Sequence, residues 1–314
     1  MVSDRLNREA EAREPAEQME TEAMRRTLGS SLQGTELCCD PCEAPGVPAL
    51  LPGAGQRLEK MQGHWVLARA GKRVLRPGGI ALTRRMIDAL SISSADRVVE
   101  FAPGMGVTAR MVLRRKPLQY WGVEREPAAA ARLESLLRGK IARIVGAPAE
   151  CSGLLDACAS VVYGEAMLSM HTTQQKKRIV AEARRLLAAG GRYGIHELCF
   201  RPDGISRATR REIEAEMSKE IHVGVQPLSG SEWRHLLEQQ GLKVIWCGEA
   251  DLDLLEPGRI LQDEGILRCL KIAGNVLRDA VLRRRILAIR RIFRRYREHL
   301  GAVSMVGMLT TGTS

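Results

Sequence analysis

The sequence predicts an α/β fold with a doubly wound sheet, and three observations predict it. From Asp96 onward, short apolar runs alternate with helical stretches of about 10–15 residues, a spacing that implies right-handed crossovers and a parallel sheet. The runs are continuously apolar, as strands covered on both faces require. One of them, "VVEFAPGMG", ends in a glycine turn that leads straight into a helix-like segment.

The elements follow in order. Residues 1–57 read as a polar tail in which "GSSLQGTELCCDPCEAPGVPALLPGAGQ" is dense in Gly, Pro and Ser, a composition expected to be disordered. The folded domain is expected over 58–314. Leu58, Met61, Trp65 and Ala68 lie near one helical face, "RPGG" breaks that pattern, and Leu82, Met86, Ile87 and Leu90 begin another helix. The strands "DRVVEFA", "LQYWGVE", "ARIVGA", "SVVYGEAML" and "RYGIHELCF" come next, with helices at Val107–Arg115, "PAAAARLESLLRG" and "QQKKRIVAEARRLLAAGG". A polar segment over 201–229 precedes the helix "SEWRHLLEQQG" and the strand "LKVIWCG". A long helical stretch then leads to a closing strand, "GAVSMVGML".

Charge is local. The chain carries +11, and residues 268–298 hold eleven Lys/Arg against two Asp/Glu, a net of +9. Leu282, Ile286, Ile289, Phe293, Tyr296 and Leu300 form one apolar stripe there, with arginines on the other faces. That helix reads first as packed on the domain with a solvated basic face; it also offers a contact with an anionic membrane surface, an acidic substrate or RNA, a lid over a pocket, or a homodimer interface through 282–300. Aromatics make up only 4% of the chain, which argues against nucleic acid bound by base stacking. No apolar stretch reaches the roughly 18–20 residues of a spanning helix, and the N-terminus has no hydrophobic signal core. The expected compartment is cytoplasmic, with the eight cysteines as thiols. Cys38, Cys39 and Cys42 lack the fourth ligand of a structural zinc site, and no metal is expected. Cys151, Cys158, Cys199, Cys247 and Cys269 read as small core residues.

In a doubly wound sheet the ligand lies beyond the carboxyl ends of the strands, near the first strand. Gly104 and Gly106 let a ligand approach the backbone there. Glu124 ends the second strand, placed to accept hydrogen bonds from two ribose hydroxyls. Glu100 ends the first strand. An acid at that place repels a pyrophosphate and suits an ammonium or sulfonium group, which points to S-adenosylmethionine (SAM) rather than a dinucleotide.

On these residues the chain resembles the class I SAM-dependent methyltransferases, whose first motif is an acid followed by Gly-x-Gly-x-Gly. Glu100 matches the acid, Gly104 and Gly106 match the last two glycines, and Ala102 replaces the first, with Pro103 between. Glu124 matches the ribose-binding acid, with Arg125 beside it as a further cofactor contact. In "RIVGAPAE" the family's adenine-side acid is replaced by Ala147-Pro148, so that contact falls to a backbone amide at Ala147 or to Glu150. The resemblance covers about residues 80–200 and reaches the last two strands. It implies a doubly wound seven-stranded sheet, mostly parallel with an antiparallel end hairpin. Helices would cover both faces, with helical cap insertions at about 201–230 and 250–300.

Acceptor-side residues are expected at the ends of the fourth and fifth strands. "YGEAMLSMH" offers Tyr163, Glu165 and His171, with Glu165 favoured as a cofactor or acceptor contact because Gly164 permits close approach. In "IHEL", His196 and Glu197 point to opposite faces, and one of them is expected to face the pocket. His196 reads as a satisfied structural histidine or as the candidate base, with Glu197, Glu165 and His171 as the other catalytic candidates. The expectation is a methyltransferase that transfers a methyl group from SAM to a small-molecule acceptor by in-line displacement. The fourth strand lacks the Asn/Asp-Pro-Pro-aromatic motif of nucleic-acid amino-methylating enzymes. The alternatives are a SAM-fold protein binding RNA or a partner through 268–298, and a quinone or lipid methyltransferase at a membrane surface.

Overall fold

The computed structural model describes residues 55–310, so the expected tail, with Cys38, Cys39 and Cys42, lies almost wholly outside the described residues. Two helices, α1 (Gly63–Ala70) and α2 (Gly79–Ala89), precede the sheet. Then come β1 (Arg97–Phe101), α3 (Val107–Leu113), β2 (Gln119–Val123), α4 (Pro127–Leu136), β3 (Ala142–Val145) and β4 (Ala159–Glu165). A 3-10 turn at Leu168–Met170 leads to α5 (Thr173–Leu186) and β5 (Leu187–Phe200). After it lie α6 (Arg207–Ile221), β6 (Leu228–Ser229), α7 (Gly230–Glu238) and β7 (Leu242–Asp251). The chain ends its described part with α8 (Pro257–Glu264), α9 (Ile266–Arg278), α10 (Ala280–Arg295) and β8 (Leu300–Leu309).

Among the described residues the sheet runs β3-β2-β1-β4-β5-β8-β7, with β6 paired to β5. The pairs among β1 to β5 are parallel, and β8 is antiparallel to both β5 and β7. The expected doubly wound sheet with its antiparallel end is therefore present. β6 is an eighth strand of two residues, too short to announce itself by alternation. The order reverses between β1 and β4, and their carboxyl ends open a crevice there.

Alternate residues of each strand feed the two layers. Val99, Phe101, Val162 and Ile195 are buried with α5 and α7 on one face, while Val98, Tyr120, Val161 and Tyr163 are buried with α2 and α3 on the other. Each such side chain contributes about 1.5–3 kcal/mol by leaving water. α5 starts where it does because Thr172 accepts from the Gln175 amide and the Gln175 side chain accepts from the Thr172 amide, a reciprocal cap.

Residues 201–229, expected as a helical cap insertion, contain the helix α6, whose only buried side chains are Ile213, Met217 and Ile221, one apolar residue per turn in a polar composition. The stripe on α10 packs on the domain, as the first reading of it has it: Leu282, Ile289, Tyr296 and Leu300 are buried where α10 meets α1 and α6. Four of its arginines pair within the chain, Arg285 with Glu220, Arg290 and Arg294 with Glu256, and Arg295 with Glu212 and Glu216. Of the five later cysteines only Cys199 is in the core, and Cys151 and Cys247 are exposed. Among the described residues no helix is long and apolar enough to cross a membrane.

Candidate functional site

A cavity of about 370 Å³ opens at the carboxyl ends of β1, β2 and β4. Its floor is the β1–α3 turn, Ala102 to Met105; one wall is Glu124 to Glu126 and the other Glu165 to Met167. The roof is Gln62, His64 and Trp65 at the start of α1, with Arg73, Leu75 and Arg76 from the loop that follows.

The turn after β1 is bound to the tip of β2. The Gly104 amide donates to Glu124 Oε2 (3.2 Å) and the Glu126 amide to Oε1 (3.0 Å). Burial pushes the Glu124 carboxyl up, and those two amides pull it back in part. Each oxygen keeps a lone pair for a ligand hydroxyl. Arg125, Ala147 and Glu150 also line the cavity. Gly106 does not. A Cβ there would stand 2.7 Å from Leu136 and 2.9 Å from Leu133, so this glycine lets α3 pack on α4. Ala102 holds φ +50°, the left-handed conformation that explains why related turns use glycine.

Glu100 and Glu165 both line the cavity, held in different ways. Glu100 Oε2 accepts from the hydroxyls of Tyr120 and Tyr163, each at 2.5 Å. Burial raises its carboxyl to about 7, outweighing both tyrosines. Among the described residues Oε1 has no hydrogen-bond donor, so half of this carboxyl is left for a ligand. Glu165 accepts from Thr83 and Thr108, each at 2.5 Å, and lies 3.2 Å from Arg76 Nη1. Burial would raise this carboxyl too, but Arg76 and His196 bring it down to about 2.

His196 and Glu197 flank the sheet without reaching the cavity. His196 is fully buried; its Nε2 donates to the Pro77 carbonyl (2.6 Å) and Nδ1 lies 3.0 Å from Glu165 Oε1. It braces Glu165 and cannot meet an acceptor. Glu197 is also fully buried, on the other face, accepting from the Met167, Leu168 and Ser169 amides and the Ser169 hydroxyl. It shapes the 3-10 turn. Strand alternation separated the two side chains correctly, but neighbouring elements cover both. His171 is the remaining candidate base: it lines the cavity, and its Nδ1 donates to the Met167 carbonyl at 2.8 Å, which leaves Nε2 as the acceptor nitrogen.

Sequence reasoning missed Arg76. It is buried, lines the cavity, and its Nε and Nη2 have no hydrogen-bond partner among the described residues. Two buried, unpartnered guanidinium donors on a residue that lines the cavity call for an anion. The available signal was its place, directly before "PGG", where a loop meets a helix. That loop is fixed from afar. Arg73 and Val74 amides donate to Glu264 (2.6 and 2.8 Å), the Ile80 amide donates to Asp263 (2.9 Å), and buried Lys72 lies 3.4 Å from Asp263. Gly79 makes room, since a Cβ there would stand 2.5 Å from Asp263. The α8 insertion thus holds the arginine loop over the cavity.

No family model matches the chain. It is 30% identical over 221 residues to an uncharacterized protein of Haemophilus influenzae, covering 69% of this chain and 86% of that one. Three solved structures resemble it at low identity. The 4+2 cyclase SpnF superposes with a TM-score of 0.60 at 14% identity, covering 79% of this chain and 92% of that one. Geranyl diphosphate methyltransferase, in complex with geranyl diphosphate and sinefungin, gives 0.53 at 16%, covering 74% and 78%. Phosphoethanolamine N-methyltransferase 2 of Haemonchus contortus, in complex with phosphomonomethylethanolamine and S-adenosylhomocysteine, gives 0.59 at 11%, covering 79% and 57%. These likenesses establish the class I methyltransferase fold.

Proposed function

We propose that this chain, which belongs to the family of that Haemophilus protein and has the class I methyltransferase fold, binds SAM in the cavity and methylates a small-molecule acceptor. The fold alone does not choose the reaction, since SpnF is a cyclase. What carries the reading is one arrangement: a buried carboxylate, Glu124, and Arg76, whose Nε and Nη2 are unpartnered among the described residues, belong to the lining of the same cavity. SAM has a ribose diol for the first and an α-carboxylate for the second.

The residues present fit that ligand. Glu124 accepts the ribose hydroxyls, Arg76 Nε and Nη2 donate to the carboxylate, and Glu100 Oε1 faces the ammonium. The Ala147 amide or Glu150 meets the adenine edge. When bound, SAM supplies a methyl group already activated on a sulfonium. The protein's work is then alignment and exclusion of water, which the α1 roof and the clamped arginine loop perform. His171 Nε2 accepts the proton that the acceptor gives up. Because Glu100 has a carboxyl near 7 through burial, the ammonium is held better as that carboxyl ionises, and SAM affinity rises between pH 6 and 8. The test is calorimetry of the whole chain with SAM, followed by labelled-methyl transfer into cell-extract fractions. No binding, or binding without transfer into any fraction, removes the reading.

A second reading, the same chemistry at an anionic membrane surface, is favoured by α9. Ile266, Leu267, Leu270 and Leu277 project from it with exposures of 66–85%, beside Lys271 and Arg278 and near the basic α10. An apolar stripe flanked by cations matches an anionic bilayer. Co-sedimentation with phosphatidylserine-containing vesicles, lost with Leu267→Glu, supports it. Equal recovery with neutral vesicles, or self-association through the stripe, contradicts it.

A further inference from the structure

The space beside the arginine loop continues past the cofactor cavity. A second chamber, about 80 Å³, lies between α1, α6 and α10. His64, Leu75, Ala166 and Met170 border both spaces. Beyond them the walls are hydrocarbon, among them Leu67, Met217, Ile221, Leu252, Ile289 and Phe293. Among the described residues only two polar side chains reach it, His64 and Ser169, and the Ser169 hydroxyl is committed to Glu197 at 2.7 Å.

His64 is different. Its Nδ1 is buried and has no hydrogen-bond partner among the described residues. Burial, with the Arg125 charge added, pulls the imidazole down to about 4, so the ring is neutral near pH 7 and offers a lone pair. A buried polar atom without a partner costs about 1–3 kcal/mol, and an unfilled space forfeits packing contacts with its lining. Both losses fall at the boundary between the two chambers, and one molecule with an apolar body and a proton-bearing head would remove both.

We propose that the methyl acceptor is such an amphiphile, with its hydrocarbon part in this chamber and its hydroxyl or amino head at His64. This rests on the methyltransferase reading above. The head donates a hydrogen bond to the His64 ring, which turns its lone pair toward the cofactor cavity. The new bond joins that oxygen or nitrogen to the methyl carbon. The carbon–sulfur bond breaks with its electron pair left on sulfur, giving a neutral thioether; an amino head gives up its second N–H proton to His171 Nε2, while a hydroxyl head leaves its one proton on the His64 nitrogen it is hydrogen-bonded to. His64 positions the acceptor, and the insertions carrying α6 and α10 set its hydrocarbon length.

The test uses the whole chain saturated with S-adenosylhomocysteine and titrated with 4-alkylphenols and alkylamines of increasing chain length. Affinity should rise about fourfold per methylene at first, the factor for burying one CH2, and then level off as the chamber fills. Leu254→Trp, which fills the chamber from the loop before α8, should abolish the gain while S-adenosylhomocysteine binds as in the wild type. His64→Phe should weaken the short members as much as the long ones, by about tenfold for the lost hydrogen bond. Affinity independent of chain length in both series, with the cofactor product bound, overturns the amphiphile and leaves the methyltransferase reading standing. Failure of the wild type to bind SAM or its product removes both.

Discussion

The tips of β1 and β4 stand side by side in the sheet, and each carries a buried glutamate followed within two residues by a backbone turn through the left-handed region. At β1 these are Glu100 and Ala102; at β4 they are Glu165 and Ala166. Burial pushes both carboxyls up. Glu100 stays up, near 7, because its partners are two neutral phenols. Glu165 falls to about 2 because a guanidinium and an imidazole stand against it. Desolvation is common to the two, and neighbours decide the sign. One acid can thus be tuned by a ligand's charge near neutral pH, while the other is a fixed anion that holds the arginine in place.

Removing the cation at β4 should break the contrast most severely. Arg76→Met leaves Glu165 buried and ionised without its cation, and stability should fall by about 3–5 kcal/mol in urea titration at pH 7. A loss under about 1 kcal/mol would show that the pair carries little.

Proton linkage sharpens the contrast. A carboxyl raised on folding stabilises the native state only while protonated, so the Glu100 contribution is present below pH 4.5 and lost as pH rises through about 7. Glu165 is the reverse. Its contribution is present above pH 4.5 and lost as pH falls toward 2. Glu100→Gln should gain on the wild type by on the order of 2–3 kcal/mol between pH 4 and 8, measured by denaturation at each pH. A constant difference between the two proteins would place the titration elsewhere.

The third tip, β2, provides a control. Glu124→Ala removes an acceptor that two amides already partly satisfy. It should keep the fold and weaken SAM roughly 10- to 100-fold, read by calorimetry. Unchanged affinity would remove Glu124 from the site. The smallest effect is expected from the backbone: Ala102→Gly relieves a positive φ and should stabilise by about 0.5–1 kcal/mol in thermal unfolding. Destabilisation would mean the alanine methyl packs better than its backbone suffers.

The same three tips show how far the sequence could be read. Acid-then-glycine at β1 and the acid closing β2 are local patterns, because the turn that shapes the site is built from adjacent residues. The parallel strands were equally legible, since each is a continuous apolar run. Arg76 was not legible. Its burial depends on Asp263 and Glu264, which clamp its loop from nearly two hundred residues away. For His196 alternation gave the face but could not choose between a structural histidine and a base: Pro77, brought over by that loop, occupies its outer nitrogen and makes it structural. The cap helix α6 and the apolar stripe of α10 were legible one by one, but that the two pack on each other was not, because the contact joins segments far apart in the chain.

Calorimetric titration of the whole chain with SAM and with its decarboxylated analogue reaches the central claim most directly. If the free donors of Arg76 are there for a carboxylate, SAM binds at least about tenfold more tightly than the analogue. Equal affinities, or no heat from either, would contradict it.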